Sequence, residues 1–206
     1  MIHPHAELRF VSEQIGYGVF ATASIPRGTL TYVTDPLEII IQPGNPLLYN
    51  PLYRPLLDKF STREPDGSLM LSWDIAKHVN HCCHFNTIST GYGFEIAVRD
   101  IAAGEEITDE YAIFNLDYEM DLYCHYPDCR VVLRLDDFDR LYPVWDEQIR
   151  AALQDFQRVE QPLWVYMEEA VRQELLAYLE TGENYKSVYA LRYKEDDQVQ
   201  DSSDSA

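Results

Sequence analysis

Val79-Asn80-His81-Cys82-Cys83-His84-Phe85-Asn86 packs an amide, an imidazole and two adjacent thiols into one short stretch. Downstream, Arg99-Asp100-Ile101-Ala102-Ala103-Gly104-Glu105-Glu106-Ile107-Thr108-Asp109-Glu110-Tyr111 leads through a Gly-Glu turn to a phenol. Between the two blocks, Phe94-Glu95-Ile96-Ala97-Val98-Arg99 alternates apolar and polar residues, the two-residue period of a half-buried strand. Chemistry-bearing residues on either side of a strand point to one site assembled from separate segments. Taken singly, Asn80-His81 reads as a hydrogen-bonded core pair and Tyr111 as an amphipathic core residue; only their order gives them a further meaning.

Outward from these blocks, residues 8–42 read as β-structure, with aliphatic and aromatic positions broken by Gly16-Tyr17-Gly18 and Pro26-Arg27-Gly28. The glycine pair lacks the third glycine and following helix of a dinucleotide fingerprint. Residues 43–67, rich in Pro, Asn and Asp, read as an irregular insert with a short helix near Leu56 to Phe60, and Leu69 to Trp73 returns to strand. After Arg130 the period changes. Trp145, Ile149, Leu153 and Phe156 recur at helical steps, a second helix is expected from Pro162 to Gly182, and a third short one after Asn184. The acidic, Ser-rich end, 195–206, is expected to be disordered.

A chain of 206 residues, 46% hydrophobic and 13% aromatic, supports one substantial core. A net charge of −19 argues against direct nucleic-acid binding and favours a basic partner. No apolar run approaches the roughly 20 residues that span a bilayer, and the N-terminus lacks a secretory pattern. Four cysteines do not make a disulfide framework at this length. The expected location is cytoplasmic or nuclear, neither secreted nor in a membrane.

In order, the chain presents Gly16-x-Gly18, Pro26-Arg27-Gly28, Asn80-His81-x-Cys83-x-x-Asn86, Arg99-Asp100-Ile101 with Gly104-Glu105-Glu106-Ile107, Tyr111 and Cys124-x4-Cys129-Arg130. This series resembles the SET-domain protein lysine methyltransferases across roughly residues 8–130. The resemblance implies a mainly β fold of small sheets threaded as a pseudoknot (the β-clip arrangement), here with an α extension. The implied division is a SET domain with a short post-SET motif over 1–130 (insert about 43–72) and a helical extension over 131–194. It also implies S-adenosylmethionine as cofactor, held by Gly16, Tyr17, Gly18, Asn80, His81 and Tyr111, with Tyr111 catalytic. Tyr32, Tyr92, Phe94 and Phe114 are candidate walls of the substrate channel. The implied substrate is a lysine in an extended, basic, histone-like segment of a protein, and an exposed face on the C-terminal helices could serve a dimer.

The chain departs from the family pattern in ways that bear on function. Cys82 and Phe85 stand where serine and proline are usual. Asp109 takes the place, two before the tyrosine, of an aromatic residue that influences how many methyl groups are added. Leu122 occupies the first position of the post-SET cysteine motif. Cys83, Cys124 and Cys129 therefore supply three ligands for a structural zinc that normally has four, and Cys82, His84 or His125 could complete the set. These departures motivate an alternative, a SET-fold binding or scaffold protein without useful catalysis.

Overall fold

The computed structural model of the protein describes residues 1–124 and 126–194; the tail expected to be disordered lies outside these. Among the described residues, four small sheets and three α-helices form the architecture. A four-stranded sheet runs in the order Ala6–Ser12, Gly16–Ala21, Glu106–Asp109, Asn80–His81. The late strand Glu106–Asp109 is thus inserted between two earlier ones, antiparallel to the first and parallel to the second, with Thr108 opposite Asn80 and Asp109 opposite His81. This crossing is the one that a threaded arrangement of small sheets requires.

Asn86 holds the crossing in place. Fully buried, it donates from Nδ2 to the Glu106 carbonyl (2.7 Å), while its Oδ1 accepts from the Thr108 N–H (2.9 Å). The side chain therefore satisfies both backbone groups of a strand that has no continuous neighbour on that side.

A second sheet orders Leu30–Val33, Phe94–Ala97 and Thr87–Ser89, all antiparallel. The insert is more regular than its composition suggests. Ile39–Ile41, Leu69–Leu71 and Ser61–Arg63 form a third sheet, and a helix spans Arg54–Phe60. Ser61–Arg63 shows no alternation in sequence, because its pairing depends on backbone bonds to Leu69–Leu71 rather than on a buried face.

The C-terminal helices are Asp137–Leu153 and Glu169–Thr181. The first begins before the apolar period becomes visible and carries Pro143 inside it. The second begins at Glu169 rather than Pro162. Residues between them turn sharply instead, with Leu163 buried and the Gln161 side chain donating to the carbonyls of Gly28 (2.8 Å) and Phe156 (2.9 Å). The third helix expected after Asn184 is a single 3-10 turn, Val188–Leu191. One hydrophobic cluster runs from Leu30, Phe94 and Ile96 through Trp145, Ile149 and Leu153 to Leu175, so helices and β-structure share a core.

Candidate active site

Three expected segments converge where the late strand crosses. The Asn80 amide donates to the Tyr17 carbonyl (3.1 Å) and to Glu106 Oε1 (2.8 Å). Gly18 permits this packing: a Cβ there would lie 2.8 Å from Asn80 Nδ2 and would also strike the Glu106 carboxylate. Gly16 opens the strand at φ +86°, a left-handed conformation that glycine adopts without strain. Tyr111, at the start of the 3-10 turn Tyr111–Phe114, donates from its backbone N–H to His81 Nδ1 (3.1 Å). Its hydroxyl donates to the Val79 carbonyl (2.6 Å). Gly16–Gly18, Asn80–His81 and Tyr111 thus form a continuous patch, although Tyr111 lies 31 positions after Asn80.

The electrostatics keep both central groups neutral. Burial pushes the Tyr111 phenol above its ordinary range, and the carboxylates of Asp109 and Glu106 add to the effect. Burial, helped by the Arg130 charge, lowers His81 to about 3. Because its Nδ1 accepts from Tyr111, the imidazole proton resides on Nε2, which faces Cys83 Sγ at 3.6 Å.

Tyr111 forms part of the wall of a cleft of about 640 Å³. Of the four candidate channel residues, Tyr32, Phe94 and Phe114 line it and Tyr92 does not. Tyr92 is buried against Tyr178 and Tyr185, and its hydroxyl accepts from the Lys186 N–H, so it belongs to the seam between sheet and helices. Sequence pattern alone cannot separate an aromatic residue facing a cleft from one facing a later helix.

Glu95 and Asn115, both lining the cleft, escaped the reading by sequence. Glu95, a polar position of the alternating strand, faces the cleft rather than open solvent, and its carboxyl contacts that of Asp109. Burial raises Glu95 to about 7 and, with the Glu95 charge, pushes Asp109 up as well. Glu110 caps the Tyr111 turn by accepting from the Ala112 N–H (3.0 Å), and Arg130 clamps both its oxygens at 2.7 and 2.6 Å. Asn115, left-handed at φ 54°, donates to the carbonyls of Arg63 (3.0 Å) and Leu191 (2.9 Å), tying the cleft floor to the insert and the C-terminal segment. Glu110 follows directly from the motif, because an acid before the tyrosine is the natural cap of its turn. Glu95 and Asn115 carry no local signal.

The cysteines also meet. Cys83 Sγ lies 3.7 Å from Cys129 Sγ, the Cys83 N–H donates to Cys124 Sγ (3.2 Å), and the Cys82 thiol touches that of Cys124. Donor atoms of His81, Cys83 and Cys124 lie within 4.8 Å of one another. Thiolates at about 2.3 Å from a tetrahedral ion stand about 3.8 Å apart, which the Cys83–Cys129 spacing matches. The backbone N–H groups of Arg130 and Val131 point at Cys83 and Cys129, the kind of outer contact that steadies metal-bound thiolate. His84 is drawn elsewhere: it stacks on Tyr126 at 4.0 Å and pairs with Asp128 at 2.8 Å. His125 lies outside the described residues. His81 is a poor fourth ligand, since its Nδ1 is already an acceptor and its Nε2 carries the proton.

A parallel strand pair joins an Asn-His segment to a tyrosine turn, beside a cleft with aromatic walls. Residues 16–112 match the SET domain family model, so this part of the chain is similar to a SET domain. No curated protein matches the chain. Among the described residues, no helix is long and apolar enough to cross a membrane.

Proposed function

We propose that this protein transfers a methyl group from S-adenosylmethionine to the side-chain amine of a lysine in a protein substrate. The observation that supports this reading is that Tyr111, in the wall of the cleft, bonds through its hydroxyl to the Val79 carbonyl and through its N–H to His81 Nδ1. The backbone of Gly16, Tyr17 and Gly18, with Asn80, His81 and Tyr111, would hold the cofactor. Bound there, it supplies an electrophilic methyl carbon on a sulfonium.

The chain's own residues have two tasks. The first is to admit a lysine side chain that has given its proton to solvent and to hold it as a neutral amine. A free lysine has a pKa of about 10.4, and removal from water disfavours its ammonium form. Aromatic walls from Tyr32, Phe94 and Phe114 allow that desolvation and still tolerate a cation. The second task is alignment, which a protonated Tyr111 hydroxyl beside the Val79 carbonyl performs by position and dipole rather than by ionisation. The net charge of −19 supports a basic, extended substrate segment.

Tyr111→Phe removes only the hydroxyl. Transfer of labelled methyl to basic proteins should fall by about 100-fold or more, while calorimetric affinity for S-adenosylmethionine changes little. A variant as active as the parent would remove Tyr111 from the catalytic role.

The thiol cluster supports a structural zinc held by Cys83, Cys124 and Cys129, with Cys82 as the fourth ligand. Elemental analysis should return one zinc per chain, and chelation should lower the thermal midpoint. Purified metal-free protein that unfolds at the same temperature would exclude the site.

A further inference from the structure

The strand Ala6–Ser12 is an edge of the four-stranded sheet, bonded among the described residues only to Gly16–Ala21. Four consecutive residues of it, Glu7 to Phe10, are exposed. The direction of its backbone groups follows from the ladder. The Thr22 N–H donates to the His5 carbonyl (2.9 Å), whereas Ala21, opposite Ala6, spends its own N–H and carbonyl on Glu105 and Gly104. Bonded and non-bonded pairs alternate along an antiparallel ladder, so His5, Glu7 and Arg9 direct their backbone groups at the neighbouring strand. Ala6, Leu8 and Phe10 therefore turn their N–H and C=O groups outward, the template on which another strand adds. Their side chains continue the face of Val19 and Ala21, which are fully buried, yet Leu8 is 38% and Phe10 56% exposed. The apolar face of the sheet runs out into solvent at this edge.

We propose that this edge is the seam of a homodimer, in which Ala6–Ser12 pairs antiparallel with the same strand of a second copy, centred on Leu8. In that register Leu8 meets its own counterpart and Ala6 meets Phe10, so the outward-facing residues form the bonded pairs. Glu7 of each copy meets Arg9 of the other in the intervening non-bonded pairs, where side chains come closest. The strand is thus complementary to itself, as a two-fold contact requires. In a single copy Glu7 pairs with Arg9 at 2.5 Å, and both stay exposed. Other registers that keep the bonding pattern fail. Centring on Phe10 sets Glu7 against Glu13, and centring on Ala6 sets Leu8 against Pro4, which has no N–H. A net charge of −19 repels a second copy, so a contact has to offset that repulsion locally with opposite charges. Screening helps, since it confines surface repulsion to about 8 Å at physiological ionic strength. The outcome is a sheet continuous through both copies, whether or not the cleft transfers methyl groups.

The test uses the full chain. Sedimentation equilibrium in the upper micromolar range should return twice the chain mass. Hydrogen exchange should show the amides of Ala6, Leu8 and Phe10 protected in that range and fast on dilution, with those of Glu7 and Arg9 protected throughout. Arg9→Glu and Glu7→Arg each set like charges across the seam and should weaken self-association by about tenfold or more. Both side chains are exposed, so neither change disturbs the core. Mixing the two variants restores opposite charges in both cross-strand pairs, and a heterodimer should form. The double variant Glu7→Arg with Arg9→Glu should dimerise as the parent does. A parent that stays monomeric throughout the range, an Arg9→Glu variant that dimerises like the parent, or mixed single variants that remain apart overturns the inference.

Discussion

Burial raises Glu95 to about 7, and that one carboxyl gives the molecule a pH signature. The folded chain keeps a proton that the unfolded chain, with a carboxyl near 4.5, has already released. The contribution of Glu95 to stability is therefore complete below about pH 4.5 and is lost as pH rises through about 7. Relative to Glu95→Gln, the parent should lose unfolding free energy across this window, on the order of a few kcal/mol. Chemical denaturation at pH 4.5 and pH 8 checks this; parallel pH profiles for the two proteins would show that the carboxyl is not buried as described. At this scale the motifs were legible. Gly18, Asn80, His81, Asn86 and Tyr111 announce themselves by type and order, because each has a side chain (or lacks one) for which few substitutes do the same job. Glu95 was not legible, since an acid in an alternating strand looks the same whether its face meets water or a cleft.

The elements were read with mixed success, for physical reasons. Strands with a buried face, such as Phe94–Ala97, declare themselves by alternation, whereas Ser61–Arg63 exists through backbone pairing alone. Pro162 looks like a helix start but opens a turn, because Gln161 spends its amide on Gly28 and Phe156 and the helix waits for Glu169. Within Asp137–Leu153, Pro143 is exposed and removes one backbone bond from a helix that is otherwise continuous. Proline in a helix interior costs up to about 3 kcal/mol relative to alanine. Pro143→Ala should therefore raise stability by about 1–3 kcal/mol and leave methyl transfer unchanged, as denaturant midpoints and labelled-methyl assays would report. A destabilised variant would mean that the ring packs against something the helix needs.

At the scale of the whole molecule, the helical extension is structurally inseparable from the β-structure. Trp145, Ile149, Leu153 and Leu175 fill the same core as Leu30, Phe94 and Ile96. Burying a side chain of this size contributes about 1.5–3 kcal/mol, so four of them together are comparable with a net stability of only about 5–15 kcal/mol. A chain ending at residue 136 should fail to unfold cooperatively and should bind hydrophobic dye; a soluble fragment with a sharp melting transition would show instead that the β-structure holds a core of its own. The sequence by itself carried the resemblance to SET domains, the two blocks that hold its motifs and the presence of a helical extension, because hydrophobic period and motif order are local properties of a chain. Only the tertiary structure decided that Glu95 meets Asp109, that Cys82 joins the other thiols, and that Tyr92 turns away from the cleft. Those are contacts between segments far apart in the chain, set by how strands cross and which faces helices cover, and no local pattern encodes them.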